Sequence, residues 1–308
     1  MNVRDPHAPS LPATPDRPGG RRPVLRDLLF PLPALAVGVL VMRASGVSAA
    51  AWGQNLAAFV VGILLCFVLA RPRSSRRGEA GLHAAAVLAL GCLAATFLDP
   101  GVEGVHRWLR LGPVRLHAAA LVLPVVLAAL AGLERVGRRH ASTLLAIATA
   151  LLLVLQPDAA QATAFAAGAV VLLLPRSRAD GYAWLRLVPL LVLAGLSWLR
   201  RDPLAPVPHV EGIVALALEQ GTGWGAAAVA SLLLLPVPFF AARRAGDGRL
   251  GLALGTYVAV TILAPALGYF PVPVLGQGAS PIIGYLVAIG LLRGFQGSAA
   301  RAGAAPER

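Results

Sequence analysis

Two carboxylates near residue 215 are the side chains best suited to acid–base chemistry. Glu211 and Glu219 stand eight residues apart, which on a helix is two turns and about 12 Å along one face. A carboxylate buried near lipid has a raised pKa and can accept a proton from a hydroxyl at neutral pH. His209 could tune that acid. Spacing alone favours the alternative that the glutamates pair with loop arginines and that His209 is an exposed loop residue.

Other motifs point to structure more than to chemistry. Asp158 follows Gln156 and Pro157 and precedes small residues, which suits either the N-cap of a helix or packing of a loop. Glycines at 221, 223 and 225 lack a preceding strand, so they do not indicate a nucleotide site. The sequence shows no metal-ligand spacing and no nucleophile motif, and we therefore predict no metal site.

The distribution of charge indicates how the chain lies in a membrane. All 27 basic side chains are Arg, and they fall in clusters separated by long apolar stretches. Of these, 21 lie on one alternating set of segments and six on the other. Positive charge concentrates on the cytoplasmic side of membrane proteins, so this asymmetry predicts two crossings between successive clusters. The net charge of +13 is thus a topology signal and does not predict nucleic-acid binding.

Hydropathy predicts an all-α, polytopic helical bundle with about ten transmembrane helices. The predicted segments are 28–41, 54–70, 81–97, 116–133, 141–156, 159–174, 183–199, 213–241, 250–269 and 281–292. Residues 1–27 are predicted to be a disordered cytoplasmic tail, 28–293 the membrane domain, and 294–308 a cytoplasmic C-terminal tail. Prolines inside these segments predict kinks; they are Pro31, Pro33, Pro124, Pro189, Pro236, Pro238 and Pro265.

Four stretches in a fixed order resemble the SEDS family (shape, elongation, division and sporulation proteins of the RodA, FtsW and SpoVE type). Residues 104–113 resemble its Gly-x-x-Arg-Trp loop, 155–164 its Leu-Gln-Pro-Asp segment, 209–225 its His-Thr-Asp segment with a following Glu, and 269–280 its Pro- and Gly-rich turn. The resemblance spans about residues 28–293. The structural motif residues that it assigns here are Trp108, Gln156, Pro157, Asp158, Glu219, Gly276, Gly278 and Ser280.

The resemblance implies a function at the outer face of the bacterial cytoplasmic membrane, and the arginine asymmetry predicts that both termini are cytoplasmic. SEDS proteins polymerise glycan strands from the lipid-linked disaccharide precursor of peptidoglycan, with a class B penicillin-binding transpeptidase, in elongation, division or sporulation. Glu211 occupies the position of the family's catalytic Asp. The residues predicted to bind substrate are Arg107, Arg110, Arg200, Arg201 and His209, because Arg pairs bidentately with phosphate oxygens and His209 lies beside Glu211. We expect no cofactor, although a divalent cation could accompany the diphosphate.

The sequence also departs from the family pattern. Glu211 is one methylene longer than the family's Asp, and the loop between helices seven and eight is reduced to roughly a dozen residues. A Gln-Pro-Ser-Glu segment at the start of the fourth helix is replaced by residues 117–120, His-Ala-Ala-Ala. These changes support an alternative: a catalytically inactive SEDS-like scaffold, or a protein that binds the lipid precursor without chemistry.

Overall fold

The computed structural model describes residues 21–72, 75–112, 114–175, 181–200, 202–243 and 248–303. This part of the chain forms thirteen α-helices, and one small antiparallel sheet lies between two of them. The helices are α1 Arg21–Asp27, α2 Leu32–Ala44, α3 Ala49–Leu69, α4 Ser75–Ala95, α5 Ala118–Arg135, α6 Arg139–Leu155, α7 Ala159–Leu173, α8 Val188–Ser197, α9 Ile213–Glu219, α10 Thr222–Leu234, α11 Val237–Ala242, α12 Arg249–Leu263 and α13 Ala279–Gly303. The strands are β1 Trp108–Leu111 and β2 Val114–His117.

The helices confirm the prediction of an all-α bundle with about ten crossings. Seven helical stretches in the described residues are long and apolar enough to span a bilayer: Pro23–Ala44, Ala49–Leu69, Ala80–Leu98, Ala118–Arg135, Thr222–Ala242, Arg249–Ala266 and Ala279–Ser298. Three shorter apolar helices, Arg139–Leu155, Ala159–Leu173 and Trp184–Ser197, fall on the fifth, sixth and seventh predicted segments. The chain is a multi-pass helical membrane protein.

Both ends of the described chain are more ordered than the sequence suggests. The predicted disordered tail 1–27 is wrong for residues 21–27, which form α1, and the C-terminal tail predicted at 294–308 is helical through Gly303, where α13 ends. A buried ion pair explains this order, because Arg293 of α13 donates from Nε to Asp27 of α1 at 2.6 Å. Asp27 is fully buried, and removal of either partner would leave an uncompensated charge. The remaining residues of both predicted tails lie outside the described part.

The eighth predicted segment is not one helix. It is divided into α9, α10 and α11, with a break at Gly221, whose φ of +137° suits glycine and few other residues.

The prolines predicted to kink the helices occupy several kinds of position. Pro31 and Pro236 are the N-caps of α2 and α11, where helical stretches are interrupted, and Pro265 lies in the 3-10 turn that follows α12. Pro124 lies inside α5, but Pro33, Pro189 and Pro238 lie in the first turns of their helices, where a missing N–H costs little.

A β-hairpin fills the loop between α4 and α5, and the sequence analysis did not predict it. Trp108 pairs with His117 and Arg110 with Arg115 in an antiparallel register. Cross-strand partners lie on the same face of a sheet, so these four side chains share one face. The Ala118 N–H donates to the Arg107 carbonyl at 2.9 Å, which joins the hairpin base to the start of α5.

Helix α13 packs in the centre of the bundle against α3 and α5. Glycines on α13 permit the close approach of these helices. A Cβ added at Gly290 would lie 2.7 Å from the Cys66 carbonyl oxygen of α3, and a Cβ at Gly284 would collide with the Ala120 carbonyl of α5. Without a hydrophobic driving force between helices in lipid, such close packing is a main source of stability.

We expect Gly290→Ala to destabilise the bundle, because its methyl would have to displace the backbone of α3. Overpacking of this kind costs about 1–3 kcal/mol of unfolding free energy. Gly91→Ala is the matched control, since a Cβ there meets no atom within 4 Å and Ala is the better helix former. Thermal unfolding in detergent should therefore show a lower Tm for Gly290→Ala only. Equal Tm values for the two variants would contradict the packing described for α3 and α13.

Candidate functional site

One cavity, of about 770 Å³, lies between the loops that carry the residues singled out by sequence and the helices beneath them. Its polar walls come from the hairpin region, the loop between α8 and α9, and the loop between α12 and α13; they include Arg107, Trp108, Arg115, His117, Asp202, Glu211 and Gln277. Its apolar walls come from α3, α5, α12 and α13 and include Val61, Pro124, Val258 and Ile283. A cavity with this lining suits a ligand that has a polar head and an apolar chain.

Glu211 lies in the cavity wall, in a turn that precedes α9. The prediction that Glu211 and Glu219 share one helical face is wrong, because α9 begins only at Ile213 and Glu219 ends it, exposed and away from the cavity. One carboxylate oxygen of Glu211 accepts the Val207 N–H at 2.7 Å. Burial raises the pKa of Glu211, with a further rise from Asp202, and these effects exceed the opposing effects of the backbone N–H groups and His209.

Arg107 is almost completely buried where the hairpin meets the cavity. Its guanidinium donates to the Asp202 carboxylate at 2.7 Å and to the Pro157 carbonyl. It therefore connects three loops that are distant in sequence. Because the charge of Arg107 is already paired with Asp202, we assign to Arg107 the role of holding these loops together and not that of binding a ligand.

His117 and Asp158 form a second buried pair beside Arg107. The His117 Nε2 lies 3.2 Å from the Asp158 carboxylate, and its Nδ1 accepts the Ala120 N–H at 3.2 Å as the N-cap of α5. His117 thus contacts both the N-terminus of α5 and the acid. Asp158 is itself the N-cap of α7 and accepts the Gln161 N–H. Burial alone would raise the pKa of Asp158, but His117 and Arg107 together hold it below its usual value.

The remaining residues assigned to substrate binding are not brought together at the cavity. Arg110 pairs with Asp99 at 3.0 Å and Arg200 is exposed, and neither lines the cavity. Arg201 lies outside the described residues. His209 is half-buried, and its carbonyl accepts the Gln277 N–H at 2.9 Å.

The residues assigned to structural motifs occupy packed positions. The Trp108 ring meets His117 edge-on. Gln156 is fully buried and donates to the Leu93 carbonyl and to the Thr96 hydroxyl. Gly276 lies against the Val210 carbonyl, whereas Gly278 and Ser280 line the cavity.

Three cavity residues were missed by the sequence analysis as members of a site. Asp202 pairs with Arg107, Arg115 lies exposed on the hairpin face, and the Tyr257 hydroxyl donates to Gln161 at 2.7 Å. The charges of Asp202 and Arg115, in loops between apolar segments, were signals that the sequence offered, but only the fold shows which of several arginines line the cavity. Among the described residues, no group of three or more His, Cys, Asp or Glu side chains could hold a metal ion.

A family model described as a cell cycle protein, and named for FtsW, RodA and SpoVE, matches residues 28–201. The match covers the hairpin, Arg107 and Asp158 but ends before Glu211. A search of curated protein sequences finds no relative.

Solved structures extend the similarity to most of the chain. The rod shape determining protein RodA of Thermus thermophilus is 22% identical, with a TM-score of 0.66 over 90% of this chain and 97% of RodA. An aspartate-to-alanine mutant of the same RodA gives a TM-score of 0.68 at 20% identity, with the same coverage. A structure of a peptidoglycan synthase complex that coordinates polymerization and crosslinking gives 0.63 at 21% identity, over 91% of this chain and 98% of the other. These likenesses show a shared fold.

Proposed function

Because this chain belongs to the FtsW, RodA and SpoVE family of cell cycle proteins, we propose that it is a membrane glycosyltransferase of cell-wall synthesis. It would polymerise peptidoglycan glycan strands from lipid-linked disaccharide on the outer face of the bacterial cytoplasmic membrane. One observation carries the proposal: Glu211, an acid with a raised pKa, lies in a cavity that has both polar and apolar walls. The apolar walls would accommodate the lipid chain, and the polar walls the sugar and the diphosphate.

In the proposed reaction, Glu211 acts as the general base. Its carboxylate accepts the proton of an acceptor-sugar hydroxyl, the hydroxyl oxygen bonds to the anomeric carbon of the donor, and the bond from that carbon to the diphosphate oxygen breaks. The departing lipid diphosphate carries the electron pair away. A raised pKa suits this role, because a base with a pKa nearer the working pH accepts a proton more readily.

The leaving diphosphate requires cationic stabilisation. Among the described cavity residues, Arg115 is the arginine without an acidic partner, whereas Arg107 is paired with Asp202. We therefore assign the diphosphate to Arg115 in preference to Arg110 and Arg200, which the sequence analysis favoured and which do not line the cavity. Any divalent cation would arrive with the diphosphate, as part of the substrate.

A class B penicillin-binding transpeptidase is the proposed partner. The similar structure that belongs to a peptidoglycan synthase complex combines polymerization with crosslinking, and a chain of the same fold could take the polymerising part. The test is polymerisation of lipid-linked disaccharide by the purified protein, with and without a co-purified transpeptidase. We expect glycan strands on a denaturing gel, in greater yield with the partner.

A scaffold without catalytic activity is the second candidate, and one contact favours it. The bond from the Val207 N–H to Glu211 closes a turn within the same loop, so Glu211 also has a local structural role. If the wild-type protein forms no glycan strands with its transpeptidase but still binds that partner, the scaffold is the correct function.

We expect labelling of single cysteines to place Arg71 and Ala205 on opposite sides of the membrane. Both residues are exposed, and they belong to loops that the arginine distribution assigns to the cytoplasmic and outer faces. The measurement uses an impermeant maleimide on intact cells that express Arg71→Cys or Ala205→Cys, with Cys66 and Cys92 replaced by Ala. Only Ala205→Cys should react before lysis. Reaction of both positions in intact cells would contradict the proposed orientation, with both termini cytoplasmic.

A further inference from the structure

Asn55 is a fully buried polar side chain in α3 that does not line the cavity. Its amide makes two hydrogen bonds to the loop between α12 and α13. The Nδ2 donates to the Gly276 carbonyl at 3.0 Å, and the Oδ1 accepts the Gly278 N–H at 3.0 Å. Because burial of an unpaired amide is costly, this two-point contact fixes the loop firmly on α3.

The same loop holds the backbone immediately before Glu211. The Val272 N–H donates to the Val210 carbonyl at 3.2 Å, and the Gln277 N–H donates to the His209 carbonyl at 2.9 Å. The two backbones are also in close contact, because a Cβ added at Gly276 would lie 2.5 Å from the Val210 oxygen. A displacement of residues 276–278 would therefore move residues 209–211 with them.

We propose that Asn55 is a positioning residue that sets the place of Glu211 in the cavity through residues 272–278. Its contribution to the reaction rests on the proposed function, in which Glu211 is the base, whereas its contribution to the position of the loop does not. Asn55 touches no group that would react. Errors of about 1 Å in the position of a catalytic group can lower a rate by roughly a hundredfold, so this contact is expected to matter for turnover.

Hydrogen exchange tests the structural half of the proposal without any enzymatic activity. Asn55→Leu keeps a similar volume and removes both hydrogen bonds to the loop. In protein reconstituted in nanodiscs, peptides that cover residues 207–212 and 272–278 should exchange about tenfold faster in this variant, since local opening becomes easier. Asn55→Gln keeps the amide on a longer side chain, so its exchange rates in these peptides should lie between those of wild type and Asn55→Leu. If Asn55→Leu does not fold, faster exchange of Asn55→Gln than of wild type in the same peptides supports the proposal, and equal exchange overturns it.

Thr149→Val is the matched control. Thr149 is also fully buried, and its hydroxyl donates to the Leu145 carbonyl within α6, away from the loop and from the cavity. Its replacement removes a buried hydrogen bond and should leave exchange of residues 207–212 unchanged. Equal exchange of these residues in wild type and Asn55→Leu would overturn the proposal, whatever the activity of the protein.

Polymerisation kinetics test the catalytic half. Asn55→Leu should lower kcat by about 10- to 100-fold with a smaller change in KM, because the variant misplaces the base but leaves the cavity walls that would bind the substrate unchanged. Thr149→Val should keep the wild-type kcat. Faster exchange of residues 207–212 with an unchanged kcat would overturn the role of Asn55 in the reaction. If the wild type forms no strands, the proposed function fails, and the exchange experiment still decides whether Asn55 holds the loop.

Discussion

Glu211→Gln is expected to lower the rate of glycan polymerisation by about 10²- to 10⁴-fold, the usual cost of losing a general base. Gln keeps the size of the side chain and an oxygen that can accept the Val207 N–H, but it cannot take up a proton. The protein should therefore stay folded. The measurement is the initial rate of strand formation at saturating lipid-linked disaccharide, together with the Tm of each sample.

Glu219→Gln is the matched control for this experiment, because Glu219 is exposed at the end of α9 and does not line the cavity. It should polymerise at the wild-type rate. Glu211→Asp should retain more activity than Glu211→Gln, since it keeps the carboxylate, although its shorter reach could misplace it by about 1 Å. Loss of activity in Glu219→Gln equal to that in Glu211→Gln would remove the special role of Glu211.

The pH dependence gives a second measurement on the same variants. Burial raises the pKa of Glu211, and a base is active only when ionised. The wild-type rate should therefore fall as the pH is lowered through this raised pKa, at a higher pH than an exposed Glu would give. The residual activity of Glu211→Gln should lack this acid limb.

Asp158→Asn is expected to have the largest effect on stability. The change removes the negative charge that His117 and Arg107 face inside the protein, and breaking a buried pair costs about 3–5 kcal/mol of unfolding free energy. Asn is a good N-cap, so the cap of α7 should survive; Asp158→Ala should lose about 1 kcal/mol more. Thermal unfolding of the purified variants in detergent measures both effects.

The pH dependence of this stability has a definite sign. The pKa of Asp158 is lower in the folded protein than in the unfolded chain, so its stabilising contribution is present above the unfolded value of about 3.9. The contribution is lost as the pH falls through the folded pKa. The difference in Tm between wild type and Asp158→Asn should therefore shrink in acid.

Asp99→Asn is the control for the loss of an acid from a neighbouring loop. Asp99 pairs with a partly exposed Arg110, and such a pair contributes about 0–1 kcal/mol. Its Tm should stay close to that of the wild type. If Asp158→Asn proves as stable as Asp99→Asn yet forms no strands, then Asp158 takes part in the reaction and its assignment to structure is wrong.

The number of helices could be predicted because its causes are local. A bilayer requires about 20 apolar residues for each crossing, and the arginine clusters separate successive pairs of crossings. Asp158 as the N-cap of α7 was predictable for the same reason, since Pro157 and the following small residues are its neighbours in sequence. The hairpin also had a local signal, because polar and apolar residues alternate on both sides of Gly112.

Contacts between distant segments could not be predicted from the sequence. Arg107 and Asp202 are 95 residues apart, and Asn55 and Gly276 are 221 apart. Neither pair has a local pattern that would identify the partner. The spacing of Glu211 and Glu219 was misleading because α9 begins only at Ile213, so Glu211 lies in the turn before the helix and the two acids do not share a helical face. Among the arginines assigned to substrate binding, Arg107 lines the cavity whereas Arg110 and Arg200 do not, and no local pattern in the sequence distinguishes them.

The role of Glu211 as the base is tested most directly by measuring precursor binding and strand formation on the same Glu211→Gln sample, purified with its transpeptidase. We predict that the variant binds lipid-linked disaccharide as tightly as wild type but forms strands about 10²- to 10⁴-fold more slowly. Strand formation by Glu211→Gln at the wild-type rate would contradict the assignment of Glu211 as the base.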